Sequence, residues 1–294
     1  MQRILLIGGS GQVGTALRQI LEKNELLAPS HHELAFEDAN ALNKLLESFR
    51  PTLLINCSAF HHVDTCEKQP EKAFAMNALA VDQAAYLCSK HRIEFATFST
   101  DYVFDGNASQ PYSETDSISP RTAYGASKAA GEFLTRRHSE EHYIIRTSGV
   151  FGNIGSSSKG YTLIDKVLAQ AEHGEPIRIV NDMIFSPTYA PDLAQALVEI
   201  LRLRAFGTHH IANTGLCSWH TFVQFSLHVA GLAHAPLQPI SYSELDTPTQ
   251  RPLYSPLQNT TFSKLDIELL PTWENAVERY LMQRTTSQSI KAAS

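Results

Sequence analysis

The chain has 294 residues, a net charge of −6 and 13 histidines, with no strongly basic stretch. That balance excludes a nucleic-acid binder, and the length suffices for one large α/β domain or two smaller ones around a substantial core. The opening MQRILLIGG turns glycine-rich after a handful of apolar residues, so neither a signal peptide nor a membrane span is expected there, and no other run approaches membrane length.

In chain order, RILLIG (3–8), ELLAP (25–29), TLLINCS (52–58), IEFATFS (93–99) and HYIIRTS (142–148) read as strands. Most are nearly continuous apolar runs, as parallel strands covered on both faces require. Helical segments fall between them near 12–23, 38–49, 70–91 and 121–138. Asp38 and Pro70 are start signals, and Ser119 with Pro120 predicts the cap of the last of these helices. The alternation predicts a Rossmann-type doubly wound parallel α/β sheet over residues 1–150.

Beyond residue 149 the rhythm loosens. GNIGSSSKG (152–160) reads as a flexible loop, PIRIV (176–180) as a short strand, and helices are expected near 161–173, 190–204, 218–231 and 272–284. This predicts a smaller substrate-binding lobe over 151–284, some of whose segments return to the main sheet. The tail 285–294 is polar and expected to be disordered. Cys57, Cys66, Cys88 and Cys217 are irregularly spaced with no CxxC pair, which points to reduced thiols in a cytoplasmic protein.

Several motifs carry chemistry. The first strand runs into GGSGQVG, where Gly8, Gly11 and Gly14 give a G-x-x-G-x-x-G spacing ahead of a helix. Such a turn lets the backbone approach a pyrophosphate at a helix N-terminus. An acid for the ribose 2′-hydroxyl of NAD is expected about 20 positions on. Ser30, His31 and His32 stand there instead, with no acid until Glu33, which leans toward the 2′-phosphate of NADPH over NADH. NCSAF (56–60) offers small residues at the end of the third strand, and STDYVFDG places Thr100 at the carboxyl edge of the fourth, where open sheets bind ligands.

YGASK sets Tyr124 and Lys128 four residues apart. On a helix these leave one face roughly 6 Å apart along the axis. A cation there is expected to lower the phenol pKa and make Tyr124 a general acid or base.

Taken with INCSAFHHVDTCE, IIRTSGVFG, VNDMIFSPTY, HHIANTGLCSWHTF, RPLYSPL and LPTWENAVERYL, these motifs resemble the extended short-chain dehydrogenases/reductases. The resemblance is to the dTDP-4-dehydrorhamnose reductase family and extends over nearly the whole chain. It implies reduction of the 4-keto group of a dTDP-4-keto-6-deoxyhexose by NADPH or NADH, in dTDP-L-rhamnose or related deoxysugar synthesis. It makes Tyr124 the proton donor, has Lys128 tune the phenol and hold the nicotinamide ribose, and has Thr100 hydrogen-bond the substrate carbonyl. Gly11, Gln12 and Val13 would then lie on the pyrophosphate, Asp38 near the adenine, and Ala59, Phe60 and His61 along the cofactor. Asp101 and Tyr102 would lie close to the sugar, and Arg251 would meet the nucleotide diphosphate or serve as a plain surface residue.

Two departures bear on the pocket. In those relatives a tryptophan often follows RTS and closes over the sugar, where Gly149 stands here. Met183 and Phe185 replace a polar residue and a glycine. Both changes fall in the expected substrate pocket and leave the identity of the sugar open, and Gly149 implies a less enclosed sugar site. An alternative is a non-catalytic NADP-binding subunit resembling the methionine adenosyltransferase β subunit; another is a different nucleotide-sugar reductase or epimerase. Some relatives use magnesium at a subunit contact, and the sequence supplies no residue pattern for it; a homodimer is the assembly to test. HSEEH (138–142) matches a zinc-peptidase spacing but reads as a helix end, and the histidine pairs at 31, 61 and 209 lack companion ligands, so no metal site is predicted. Trp219 and Trp273 read as packing residues.

Overall fold

The computed structural model describes residues 2–21, 25–152 and 162–293, with side chains to residue 284. Most of GNIGSSSKG lies outside the described residues. The first half runs β1 (Arg3–Ile7), α1 (Gln12–Leu21), β2 (Glu25–Leu27), α2 (Ala39–Phe49), β3 (Leu53–Asn56), α3 (Val63–Lys68), α4 (Pro70–Phe74), α5 (Ala80–His91), β4 (Glu94–Thr100), α6 (Ala123–His138) and β5 (His142–Thr147). It continues with β6 (Val150–Phe151), α7 (Leu163–Glu172), β7 (Ile177–Val180), β8 (Ile184–Phe185), β9 (Thr188–Tyr189), α8 (Ala190–Arg202) and β10 (Gly207–His210). Last come β11 (Cys217–Ser218), α9 (Trp219–Val229), β12 (Leu237–Ile240), α10 (Thr260–Lys264) and α11 (Trp273–Ala293). The final helix thus runs beyond the end expected at residue 284.

Among the described residues the main sheet has six strands in the order β2-β1-β3-β4-β5-β10, every pair parallel. The order reverses direction between β1 and β3, and that switch point opens a crevice at the carboxyl edge. Strand alternation explains the two-sided core. Ile4 and Leu6 pack with Leu17 of α1 and Leu193 and Leu197 of α8. Leu5 and Ile7 face the other way, onto Leu42 and Leu46 of α2 and Ala84 of α5. Each such aliphatic side chain contributes about 1.5–3 kcal/mol when fully buried. So β10 and α8, from the second half of the chain, complete the sheet and its cover.

The rest of the second half builds its own core, in which Phe151, Phe185, Tyr189, Phe222, Trp273 and Tyr280 pack between α7, α9 and α11. A third small cluster, Phe104, Tyr112 and Leu257, joins this half to the segment after β4.

Two local results differ from the expectations. Asp38 does cap α2, accepting from the backbone N–H groups of Asn40 and Ala41, but α6 is capped by Thr122 and not by Ser119. The Ser119 N–H is bonded to the Val103 carbonyl, and the helix starts later, at Ala123. The 70–91 stretch is not one α-helix: Ala75–Leu79 form a π-helical turn between α4 and α5.

Candidate active site

The crevice is lined from several loops. After β1, Gly11 N–H closes a turn on the Gly8 carbonyl at 3.1 Å. A Cβ on Gly14 would overlap that carbonyl, so the helix start approaches the strand as only glycine permits. Gln12 and Val13 begin α1 here. Gln12 Oε1 and, at the end of β5, Thr147 Oγ1 are buried with no hydrogen-bond partner among the described residues. Orphaned buried acceptors at this edge, beside a close-packed glycine turn, suit a polar group held across the crevice. The residues present therefore fit a dinucleotide.

Ser30 and His31 follow β2 in an exposed turn in which the Glu33 carboxylate folds back to accept the Ser30 N–H at 2.7 Å. That bond holds the Glu33 carboxyl below its usual range. Glu33, the first acid after β2, thus turns back onto Ser30. Asp38 has both its capping bonds on one carboxylate oxygen, Oδ1.

After β3, Ala59, Phe60 and His61 form the next wall. Asn77, in the π-helical turn, accepts the Phe60 N–H, donates to the Phe60 carbonyl and donates to Ser127 Oγ, each at 2.9 Å. It locks this loop to α6. A π-turn inserts one extra residue into a helix, and such bulges gather at functional sites. Asn77 is fully buried, and the sequence carries no signal that singles it out.

Thr100 ends β4, and Tyr124 sits in the first turn of α6. Gly125 lets these two meet, because a Cβ there would overlap the Tyr102 carbonyl. The Tyr102 ring lies edge-on to Tyr124, centroids 5.9 Å apart. Burial raises the Tyr124 phenol pKa, and the Asp101 carboxylate adds to that effect. This reverses the expected lowering by Lys128, whose own surroundings lie one turn further on. Burial pulls Lys128 down to about 8, against attraction from Glu132 and Cys57.

Glu132 is the second residue that the sequence reading missed. It lies one turn beyond Lys128, 1% exposed, and Arg146 Nε and Nη2 donate to its two oxygens at 2.8 and 2.7 Å. Ser99 Oγ donates to it at 2.6 Å and Arg136 at 2.9 Å. Despite burial, these partners hold its carboxyl below the usual range. A glutamate on the small-residue face of AAGE was the available signal.

At the mouth, Arg251 pairs with Asp64 at 2.6 Å beside Tyr102, while Thr249 Oγ1 donates to Asp64 at 2.7 Å. The loop that carries Arg251 is thereby tied to α3. Gly149 requires correction. It adopts a φ of 51°, and a Cβ there would overlap the Phe185 ring. Phe185 fills the space and stacks on Trp219 with centroids 3.8 Å apart. Phe185 and Met183 are both buried in the lobe, so they are packing residues and the pocket is not left open at Gly149.

A doubly wound sheet of this order, with Tyr124 and Lys128 one helical turn apart at its carboxyl edge, is the architecture of the extended short-chain dehydrogenases/reductases. Within that class, the chain belongs to the family described as RmlD substrate binding domain, which matches residues 1–286. It is 33% identical to the spore coat polysaccharide biosynthesis protein SpsK of Bacillus subtilis (strain 168), over 98% of this chain and 99% of that protein. It is 30% identical to the dTDP-4-dehydrorhamnose reductase of Escherichia coli (strain K12), again over 98% and 99%. Among solved structures it is similar to the dTDP-4-dehydrorhamnose reductase of Bacillus anthracis str. Ames in complex with NADP, with a TM-score of 0.91 at 28% identity over 96% of this chain and 99% of that one. Among the described residues no helix is long and apolar enough to cross a membrane.

Proposed function

We propose that the chain is an NADPH-dependent reductase of the 4-keto group of a dTDP-4-keto-6-deoxyhexose, acting in deoxysugar synthesis. The observation that carries this reading is the constellation of Thr100 at the end of β4 with Tyr124 and Lys128 one turn apart on α6, at the carboxyl edge of the sheet. A ketone reduced at carbon needs a proton at oxygen, and a neutral phenol placed at this edge can donate one. When bound, NADPH supplies the hydride. Gly8, Gly11, Gln12 and Val13 hold its pyrophosphate, Ala59, Phe60 and His61 line its path, and Lys128 meets the nicotinamide ribose. Asp101, Tyr102 and Arg251 shape the sugar-nucleotide end. The named relatives and the NADP complex support the substrate class and the phosphorylated cofactor. The changed positions that suited a non-catalytic subunit, Gly149 and Met183, belong to lobe packing, so no observation favours that alternative.

The test is turnover of dTDP-4-keto-6-deoxyglucose with NADPH, followed at the nicotinamide absorbance. Tyr124→Phe should keep cofactor binding while kcat falls by about 10²–10⁴-fold. Near-full turnover in that variant would move the acid elsewhere.

A further inference from the structure

The segment that leads from β12 to Arg251 is held by two carboxylates, one from each half of the chain. As it leaves β12, Ser241 Oγ and the Tyr242 N–H donate to the two oxygens of Asp182, between β7 and β8, at 2.6 and 2.7 Å. At its far end Asp64 of α3 takes three side chains of the same segment on one oxygen, Oδ1. These are Arg251 Nη2 at 2.6 Å, Thr249 Oγ1 at 2.7 Å and Thr247 Oγ1 at 3.4 Å. Between the two anchors the Tyr242 hydroxyl accepts the Arg251 N–H at 3.2 Å and donates to the Thr249 carbonyl. Residues 241–251 are thus folded on themselves and tied down on both sides.

Arg251 ends this segment close to the reacting group. The Tyr102 ring is edge-on to Tyr124, and the Arg251 guanidinium lies beside Tyr102. The Arg251 side chain is only 24% exposed. A guanidinium carries five N–H donors in a planar fork, and Asp64 engages one of its nitrogens. A largely buried cation with donors to spare suits an anion that accepts at two oxygens, as a phosphate does. In a nucleotide sugar the diphosphate hangs from ring carbon 1, across the ring from carbon 4. With the carbon 4 ketone at Tyr124, the diphosphate lies about one sugar ring away, and Arg251 stands one aromatic ring away.

Asp64 supplies the orientation. Burial pushes its carboxyl up, but the Thr249 hydroxyl and Arg251 hold it below the usual range, so it is an anion. A free arginine loses rotamer freedom when it meets a ligand, whereas one already paired through a single nitrogen has lost it beforehand. We infer that residues 241–251 form a strap that carries Arg251 to the diphosphate of the nucleotide sugar, and that Asp64 is its positioning residue, taking one guanidinium nitrogen and the Thr249 hydroxyl and leaving the rest of the fork to the ligand. The inference rests on the reductase reading, which supplies the nucleotide sugar.

The test titrates dTDP and, separately, NADPH into wild type, Asp64→Asn, Arg251→Met and the double variant, and follows keto-sugar reduction in wild type. Arg251→Met should weaken dTDP by about 10–100-fold, the worth of hydrogen bonds to a charged group. Asp64→Asn keeps an acceptor but not the charge, and should weaken dTDP by about 3–10-fold. The double variant should bind dTDP no more weakly than Arg251→Met, because Asp64 acts through Arg251. NADPH affinity should hold throughout. Thr249→Val should weaken dTDP by about 2–5-fold, and it stands in if Asp64→Asn does not fold. Losses that multiply in the double variant, or an equal loss of NADPH affinity, would make Asp64 a structural tie and overturn the inference. Tighter dTDP binding in Asp64→Asn would overturn it too, since Asp64 would then compete with the diphosphate for Arg251. So would a wild type that binds no dTDP. Unchanged dTDP affinity in Arg251→Met, in a protein that reduces the keto-sugar, would remove the strap and leave the reductase reading standing. The expected pattern in a protein that reduces no keto-sugar would sink the reductase reading and uphold the strap.

Discussion

Lys128 should cost the cofactor-free protein stability. Its side chain is 4% exposed, and burial takes its pKa from 10.5 to about 8, with Glu132 pulling the other way. At about 1.4 kcal/mol per pH unit, the fold disfavours this ammonium by about 3 kcal/mol at pH 7. The penalty is complete below pH 8. Between about 8 and 10.5 the unfolded chain binds the proton that the folded chain has released, so stability rises with pH across that window. Lys128→Met keeps the length of the side chain and removes the charge. Without cofactor the variant should unfold roughly 5 °C higher at pH 7, and the stability difference from wild type should close as pH approaches 10.5. It should be nearly inactive, and NADPH should stabilise it less than it stabilises wild type. Thermal unfolding of both proteins across pH, with and without NADPH, reads all of this. A variant less stable than wild type at pH 7 would refute the reasoning, since attraction to Glu132 would then exceed the cost of burial.

Arg146→Met should destabilise by about 3–5 kcal/mol in denaturant unfolding, because it strands the buried Glu132 carboxylate; a loss near zero would mean that Arg136 and Ser99 suffice. Gly149→Ala should cost about 1–3 kcal/mol, since its Cβ meets the Phe185 ring, and should raise KM for the sugar nucleotide while leaving NADPH affinity unchanged. Glu33→Gln should favour NADPH over NADH further, because its carboxylate sits on Ser30 in the turn after β2; an unchanged ratio in cofactor titrations would place Glu33 away from the 2′-phosphate.

Much of the fold was legible because strand chemistry is local. RILLIG is apolar at every position from Ile4 to Ile7, and a strand covered on both faces needs that, with Ile4 and Leu6 on one side and Leu5 and Ile7 on the other. The start of α6 was misjudged although Ser119-Pro120 satisfies the capping rule, because Thr122 satisfies it as well and its Oγ1 is the one that accepts the Gly125 N–H. Two hydroxyl residues three positions apart both qualify locally, and the one used is set by the path of the chain before the helix, where the Ser119 N–H is bonded to the Val103 carbonyl. The π-turn was illegible for a stronger reason. PEKAFAMNALAVDQAAYLCSKH is uninterrupted helical sequence, and what the extra residue accomplishes lies outside the helix, at Phe60 and Ser127.

The same division runs through the site. Spacing alone put Tyr124 and Lys128 on one face, since that is a property of one helical turn. Enclosure and charge state are not properties of a turn. Gly149 promised an open pocket until Phe185, from a different strand, occupied the room that the missing side chain left. YGASK promised a phenol brought toward neutrality by its lysine, but the pentapeptide says nothing of what stands across the sheet edge. There burial raises the Tyr124 pKa and the buried Asp101, held by Thr100, Ser148 and Ser255, adds to it, while burial also lowers the pKa of the ammonium itself. Both effects keep the proton on the phenol. The spacing of the motif is thus a local property, while the charge state of its phenol is set by contacts from the end of β4.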